Sequence, residues 1–282
     1  MPELPEVETI ARTLREGGQG REPVAGRAIA GARLLWQRTL AEPRLPEVEL
    51  SARLAGQRIL QVGRRGKFLV FTLDRDTLLI HLRMSGDIRV EPLADAAGQP
   101  LPLQPHDRLA LDFTCGQRMV LNDPRKFGRV WLVDDPARVL GSLGPEPFDP
   151  ELTPEVFYRR LHGAHRQIKP LLLDQAFIAG LGNIYTDEAL YAARIYPLRA
   201  SDSLTGEEAA ALWSAIRAVL AEGIRRNGAS IDWVYRGGDF QNHFNVYQRT
   251  GQPCPRCGAP IERITVGQRG THYCPHCQSP LP

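Results

Sequence analysis

Lys67-Phe-Leu-Val-Phe-Thr-Leu73 and Leu78-Leu-Ile-His-Leu82, separated by the turn cluster Asp74-Arg-Asp76, decide how the first half of this chain folds. Both runs are short, rich in branched and aromatic side chains, and apolar at successive positions. Strands read this way when both faces are covered, as inside a stack of two sheets. Arg108-Leu-Ala-Leu-Asp-Phe113 and Arg129-Val-Trp-Leu-Val133 repeat the pattern, with Cys115-Gly116 as a turn signal between them. Residues 27–135 are therefore expected to form a two-sheet β-sandwich, with Cys115 packed as a small hydrophobe.

Upstream of this region Pro5 suits the first position of a helix, and Glu6 and Glu8 suit the positive end of its dipole. Val7, Ile10, Ala11 and Leu14 make one apolar stripe, and Gly17-Gly18 ends it. Downstream, Gly141-Ser-Leu-Gly-Pro-Glu-Pro147 reads as a linker. The period then becomes helical over Glu155–Leu161, Lys169–Gln175, Ile184–Ala193 and Thr205–Arg226. Ala209, Leu212, Trp213, Ile216, Val219 and Leu220 line one face of the last of these. A polar, glycine-containing loop, Asn227–Asn245, precedes a cysteine-rich end. The expected division is 1–135 for the helix and sandwich, 136–150 for the linker, 151–245 for the helical region with its loop, and 246–282 for the terminal segment. This is an α+β multidomain chain.

With 282 residues and 43% hydrophobic side chains, the chain has material for about two cores at roughly 150 residues each, and disorder is excluded. No apolar run approaches the ~20 residues of a membrane helix, and the acidic start Met1–Glu8 is unlike a secretory leader. The expectation is a cytoplasmic protein with no membrane partner. A net charge of +3, split as +1 for residues 1–150 and +2 for the rest, is too mild to name a nucleic-acid partner. The basic residues are 32 Arg and three Lys, an imbalance that codon bias explains. Each of Lys67, Lys126 and Lys169 still invites the question of what Arg cannot do, and losing a proton is the clearest answer.

Four of the five cysteines lie in the last 29 residues as Cys254-x2-Cys257 and Cys274-x2-Cys277, with sixteen residues between the pairs. Two tight turns that each present two sulfurs can close a tetrahedral site on one structural Zn2+. The competing reading, two disulfides, suits an oxidising compartment. His272 and His276 are expected to be bystanders, since four thiolates already complete such a site.

The N-terminus carries a different chemistry. Initiator Met is normally removed before Pro, which would leave Pro2 as a free secondary amine titrating near pH ~7.7–8. Such an amine attacks an aldehyde-type carbon to give an iminium ion, an electron sink. Glu3 and Glu6 beside it can serve as general acid or base and stabilise cationic intermediates. A helix lead-in with no chemistry is the plain alternative at this point.

Met1-Pro-Glu-Leu-Pro-Glu-Val-Glu-Thr9 resembles the start of the bacterial formamidopyrimidine-DNA glycosylases, and the likeness runs along almost the whole chain. It takes in Arg64-Arg-Gly-Lys-Phe68, His81-Leu-Arg-Met-Ser-Gly86, Asp123-Pro-Arg-Lys-Phe-Gly128 and Leu143-Gly-Pro-Glu-Pro147. It continues through Ile168-Lys-Pro-Leu-Leu-Leu-Asp-Gln175, Gly182-Asn-Ile-Tyr185 and the four-cysteine finger. The resemblance implies a bifunctional glycosylase and abasic-site lyase that excises 8-oxoguanine and formamidopyrimidines from duplex DNA. The implied architecture is a helix plus β-sandwich, a helix–two-turns–helix domain and a zinc finger.

By the same resemblance Pro2 is the nucleophile on the sugar C1′, and Glu3 supplies the proton that assists ring opening. Lys67 takes part in β-elimination, a role its family motif favours over that of a solvated strand-end lysine. Arg269, in Val266-Gly-Gln-Arg-Gly270 at a hairpin tip, serves δ-elimination and contacts phosphate. Glu6 is the supporting acid. Met84, Arg125 and Phe127 fill the stack vacated by the flipped nucleotide, with Arg125 able to bond the orphaned partner base. His106, Lys169 and Asn183 contact DNA, with Asn183 capping a helix after Gly180-Leu-Gly182. Lys67 is the one lysine for which the resemblance implies catalysis.

Two departures stand out. The basic run that many relatives carry before Ile168 is Gly163-Ala-His-Arg-Gln167 here, which leaves Arg166 or His165 as the phosphate contact. The usual Val-Tyr-Gly-Arg is Val246-Tyr-Gln-Arg249. The implied partner is duplex DNA containing oxidised purines or abasic sites, bound by a monomer, with loop 227–245 closing over the flipped base. Competing readings are the sister activity on oxidised pyrimidines and a non-catalytic zinc protein that binds damaged DNA.

Overall fold

The computed structural model describes residues 1–18, 22–230 and 237–280. The chain separates into two compact units: Met1–Pro2 with Glu6–Gly141, and Glu3–Pro5 with Ser142–Ser230 and the residues from Gly237 onward.

In the first unit the helix α1 (Leu4–Glu16) begins one residue before Pro5, so the proline stands second. It costs nothing there, because the N–H groups of the first turn have no intrahelical acceptor. Gly17, at φ 77°, ends the helix. Next come β1 (Ile29–Leu34), β2 (Leu40–Glu42), α2 (Glu47–Leu54), β3 (Ile59–Arg65), β4 (Phe68–Leu73), β5 (Thr77–His81) and β6 (Asp87–Pro92). The unit is completed by β7 (Asp107–Phe113), β8 (Gln117–Asn122), β9 (Arg129–Val133) and α3 (Ala137–Leu140). The strands form a four-stranded sheet, β1-β7-β8-β6, and a five-stranded sheet, β2-β9-β5-β4-β3. All pairings are antiparallel except β2 with β9.

The two sheets share one core. Leu69, Phe71, Leu78, Ile80, Val130 and Leu132 of one face Leu109, Leu111, Phe113, Met119 and Leu121 of the other, and Val7, Ile10, Ala11 and Leu14 of α1 join them. The two-sheet sandwich expected from the doubly apolar runs is the fold observed. β5 lies inside its sheet and is buried at all five positions.

Cys115 corrects an expectation. It is exposed, in the turn between β7 and β8, and is not a packed hydrophobe. The apolar run ends at Phe113, and the reversal at Gly116 (φ 81°) turns the intervening residues outward.

The second unit holds α4 (Pro154–His162), α5 (Ile168–Leu173), α6 (Asn183–Ala192) and α7 (Gly206–Arg225), followed by the hairpin β10 (Glu262–Val266) and β11 (Arg269–Tyr273). Thr205 and Glu208 form a capping box at the start of α7, satisfying two of its free N–H groups. α5 stops at Leu173, short of Gln175, where the Asp174 carboxylate accepts the Ala176 N–H and starts a turn. α6 is buried on every side from Ile184 to Tyr191. α7 comes close to it at Gly223, where a Cβ would lie 2.5 Å from the Tyr185 ring. Only glycine fits that crossing.

Candidate functional site

In the first unit Pro2 and Glu6 are buried at the start of α1. Lys67 stands in the two-residue turn between β3 and β4, after Gly66 at φ 56°, a tight reversal that glycine makes possible at its first position. It is one residue earlier than the strand and is largely buried. Its charge helps hold down the basicity of His81, which is pushed to about 3 chiefly by burial, then by Arg83 and Lys67. The Arg83 N–H donates to His81 Nδ1 at 3.0 Å, and the Phe68 ring meets the imidazole edge-on at 4.8 Å. His81 is therefore a neutral imidazole with Nδ1 as acceptor.

The three residues assigned to the vacated stack come from two neighbouring turns of this unit. Arg125 donates to the Met84 carbonyl at 2.9 Å, which brings the turn after β5 to the loop between β8 and β9. Buried Asp123 builds that loop: its carboxylate accepts the Arg125 N–H at 3.2 Å, the Gly128 N–H at 2.7 Å and the Ser85 hydroxyl. Phe127 is 52% exposed, so it is no core residue, and Met84 is half-buried. His106 is exposed just before β7. Its neighbour Asp107 is anchored by the two terminal nitrogens of Arg89, each at 2.6 Å.

In the second unit four of the expected residues gather at the N-terminus of α6. The Glu3 carboxylate accepts the Ile184 N–H at 3.0 Å and the Tyr185 N–H at 3.4 Å. It is packed so closely on Gly182 that a Cβ there would fall 2.2 Å from it. Helix-end amides favour the carboxylate form. Asn183 is thus not the cap: Gly182 holds that position, and Glu3 supplies the missing oxygen. The Asn183 amide turns instead to the finger, donating to the Gly270 carbonyl at 2.9 Å, while its Oδ1 is buried without a partner.

Lys169 is a second correction. Its side chain is 0% exposed, ion-paired with Asp187 at 2.6 Å and bonded to the Gly270 carbonyl at 3.2 Å, so it is not available to a phosphate. Burial lowers its basicity, and Asp187 opposes that shift. Arg269 opens β11 beside the tight turn Gly267-Gln268, both at positive φ, and is exposed. Gly270, held by Lys169 and Asn183, follows directly. Arg166 and His165 are both exposed, Arg166 ion-paired with Asp174 at 2.7 Å and His165 hydrogen-bonded to Asp202 at 2.8 Å.

The four thiols of Cys254, Cys257, Cys274 and Cys277 lie within 4.8 Å of one another, with Sγ–Sγ separations of 3.9 Å for Cys254–Cys277 and 3.5 Å for Cys257–Cys274. Sulfurs about 2.3 Å from a tetrahedral zinc stand about 3.8 Å apart, so the set fits one ion and leaves no open position.

Sequence reasoning missed Asp187 and Glu188. Both are buried on α6 and turned to the terminal segment. Asp187 also accepts the His272 N–H at 2.9 Å, and Glu188 accepts the Asn245, Val246 and Tyr247 N–H groups at 2.9 Å each. Two adjacent acids inside an otherwise apolar helix were the available signal.

Three family models match in order along the chain: the formamidopyrimidine-DNA glycosylase N-terminal domain over residues 1–130, its H2TH domain over 143–234, and the zinc finger found in FPG and IleRS over 251–280. The chain is 48% identical over 287 residues to the formamidopyrimidine-DNA glycosylase of Chloroflexus aggregans, covering 99% of this chain and 98% of the relative. The chain belongs to the formamidopyrimidine-DNA glycosylase family. The glycosylase of Geobacillus kaustophilus is 42% identical, covering 99% and 100% of the two chains. Among solved structures, MutM in complex with DNA containing carbocyclic 8-oxo-G superposes with a TM-score of 0.87 at 36% identity, covering 99% and 100%. Lactococcus lactis Fpg in complex with abasic-site DNA gives 0.87 at 35%, covering 98% and 99%. In this formamidopyrimidine-DNA glycosylase relative the four cysteines form a zinc finger that holds one structural Zn2+. The departure at Gln248 falls at φ 58°, a backbone angle that suits the glycine usual there.

Proposed function

We infer that the protein is a base-excision-repair DNA glycosylase with abasic-site lyase activity on oxidised purines, 8-oxoguanine and formamidopyrimidines, in duplex DNA. The observation that carries this reading is the Pro2-Glu3 pair at the head of a full-length family match, with the Glu3 carboxylate fixed on the α6 amides. Once Met1 is removed, the Pro2 amine attacks C1′, the C1′–N bond to the damaged base breaks, and an iminium links protein to sugar. The Glu3 carboxylate takes up the proton that the Pro2 nitrogen sheds as the iminium forms and passes it to the sugar ring oxygen as the ring opens, and buried Glu6 supports the cation. Lys67 assists loss of the 3′ phosphate, and Arg269 loss of the 5′ phosphate, leaving a one-nucleotide gap.

Met84, Arg125 and Phe127 enter the vacated stack, and helix-end amides, Asn183, His106 and Arg166 or His165 meet phosphates. The exposure of Arg125, Phe127, His106, His165 and Arg166 supports these roles, while Asn183 is half-buried with its amide on Gly270. Lys169 is read instead as a support for the finger. Residues 1–135, 151–245 and 246–282 act as sandwich, helical region and finger about the linker 136–150; the change of compact unit at Gly141 supports the linker, and the helical region and finger share the second unit. The reading makes the protein a monomer acting on chromosomal DNA in the cytoplasm. Among the described residues no helix is long and apolar enough to cross a membrane.

Borohydride trapping on abasic-site DNA tests the mechanism. A cross-link mapped to Pro2 is expected, and its absence would leave only a damaged-DNA-binding protein. Excision of 8-oxoguanine opposite cytosine should exceed that of thymine glycol. The reverse order would assign the sister activity on pyrimidines.

A further inference from the structure

The loop Asp123–Gly128 is held at its base, and its most exposed residues lie between the anchors. Asp123 grips the Arg125 and Gly128 N–H groups, and Arg129 donates to the carbonyls of Lys126 (3.2 Å), Phe127 (3.3 Å) and Gly128 (3.0 Å). At the apex Lys126 adopts φ 62°, a left-handed conformation that a non-glycine residue enters at a cost. Its ammonium stands 4.1 Å from the centre of the Trp36 ring, within cation–π range. Trp36 belongs to a different segment, just after β1. There the Leu35 N–H donates to the Arg108 carbonyl at 2.9 Å and the Thr39 N–H to the Trp36 carbonyl at 2.9 Å. The indole is thus a half-buried platform on a fixed backbone, and Lys126 reaches back to it.

We propose that Trp36 is a positioning residue for partner-base recognition: through Lys126 it fixes the loop that presents Arg125 and Phe127. The proposal rests on the reading of Arg125 as the group that bonds the orphaned base. Arg125 and Phe127 flank Lys126 directly, so a side chain pinned at the apex restricts the backbone of both. A loop ordered before binding loses less entropy when it enters the stack, and the arginine meets the base in one geometry rather than several. The same contact turns the Lys126 charge onto the indole and accounts for a lysine in this position without a phosphate.

Single-turnover excision of 8-oxoguanine opposite cytosine and opposite adenine tests this, with lyase activity on a preformed abasic site in single-stranded DNA as control. Trp36→Leu and Lys126→Met should each lower the cytosine-over-adenine ratio roughly two- to fivefold, as expected for the loss of one exposed cation–π contact. Trp36→Phe should retain most of it, the double variant should lose no more than either single one, and the single-stranded lyase rate should stay unchanged. Lys126→Met alters an exposed side chain, so it reports even where Trp36→Leu unfolds. An unchanged ratio in Lys126→Met, or losses that multiply in the double variant, would overturn the proposal. Arg125→Ala separates the layers. If it collapses the ratio while the Trp36 and Lys126 variants do not, positioning fails alone; if it leaves the ratio intact, base reading fails and positioning with it.

Discussion

His81, the one titratable side chain in the run Leu78–Leu82, acquires its physical role from its neighbours. It faces Arg129 across the strand pair β5–β9, meets the Phe68 ring, and has Arg83 and Lys67 nearby. Burial and these cations hold it at about 3. The unfolded chain takes up this proton near pH ~6.5 and the folded chain only near 3, so stability falls as pH drops through that interval. The expected slope from this one group is up to ~1.4 kcal/mol per pH unit. Urea unfolding between pH 7 and pH 4 should lose about one proton of linkage in His81→Gln, and an unchanged pH slope would show that His81 titrates normally. Pro2, Glu3 and Lys67 were legible as residues because their motifs are contiguous. Their burial was not, and neither was Glu3's place on the α6 amides, which are 181 positions away in sequence.

Among the elements α6 organises the second unit. Its two buried acids hold the finger hairpin through Lys169, Gly270 and His272, and the entering segment through Asn245–Tyr247. Removing one partner of a buried ion pair leaves the other charge uncompensated, so Lys169→Met should cost about 3–5 kcal/mol in urea unfolding. The double variant Lys169→Met/Asp187→Asn should recover at least half of that loss, because no buried charge is then left alone. If the two substitutions simply add, the pair is not the source of the cost. Zinc acts on the same hairpin from its other end. Chelation should weaken DNA binding by roughly tenfold or more, since metal binding is folding energy for such a segment. Hydrogen exchange in strands β4, β5 and β9 should stay protected meanwhile, and binding that survives complete removal of zinc would count against a structural role. Helix periods announced α4 to α7 in advance. The capping exchange at α6 did not show, since a carboxylate that caps from a distant segment leaves no local pattern.

For the molecule as a whole, a net charge of +3 still says little about DNA. Of the residues assigned to phosphates, Arg269, His106, Arg166 and His165 are exposed, and Lys169 is withdrawn from the surface. A small number of placed contacts predicts a moderate salt dependence, with log affinity falling against log salt at a slope of about −3 to −5. Arg269→Ala should reduce that slope by about 1 across sequences, as a phosphate contact does. A slope near zero would remove the phosphate assignments. The sequence by itself determined the two-sheet sandwich, the run of helices, the zinc ligands and the family, because strand and helix periods, cysteine spacing and contiguous motifs are local properties of the chain. Only the tertiary structure decided that Lys169 is an internal brace, that Glu3 rather than Asn183 caps α6, that Cys115 faces solvent, and that Lys126 rests on Trp36. Each depends on which distant segment comes to lie beside it, and burial and charge pairing are set there.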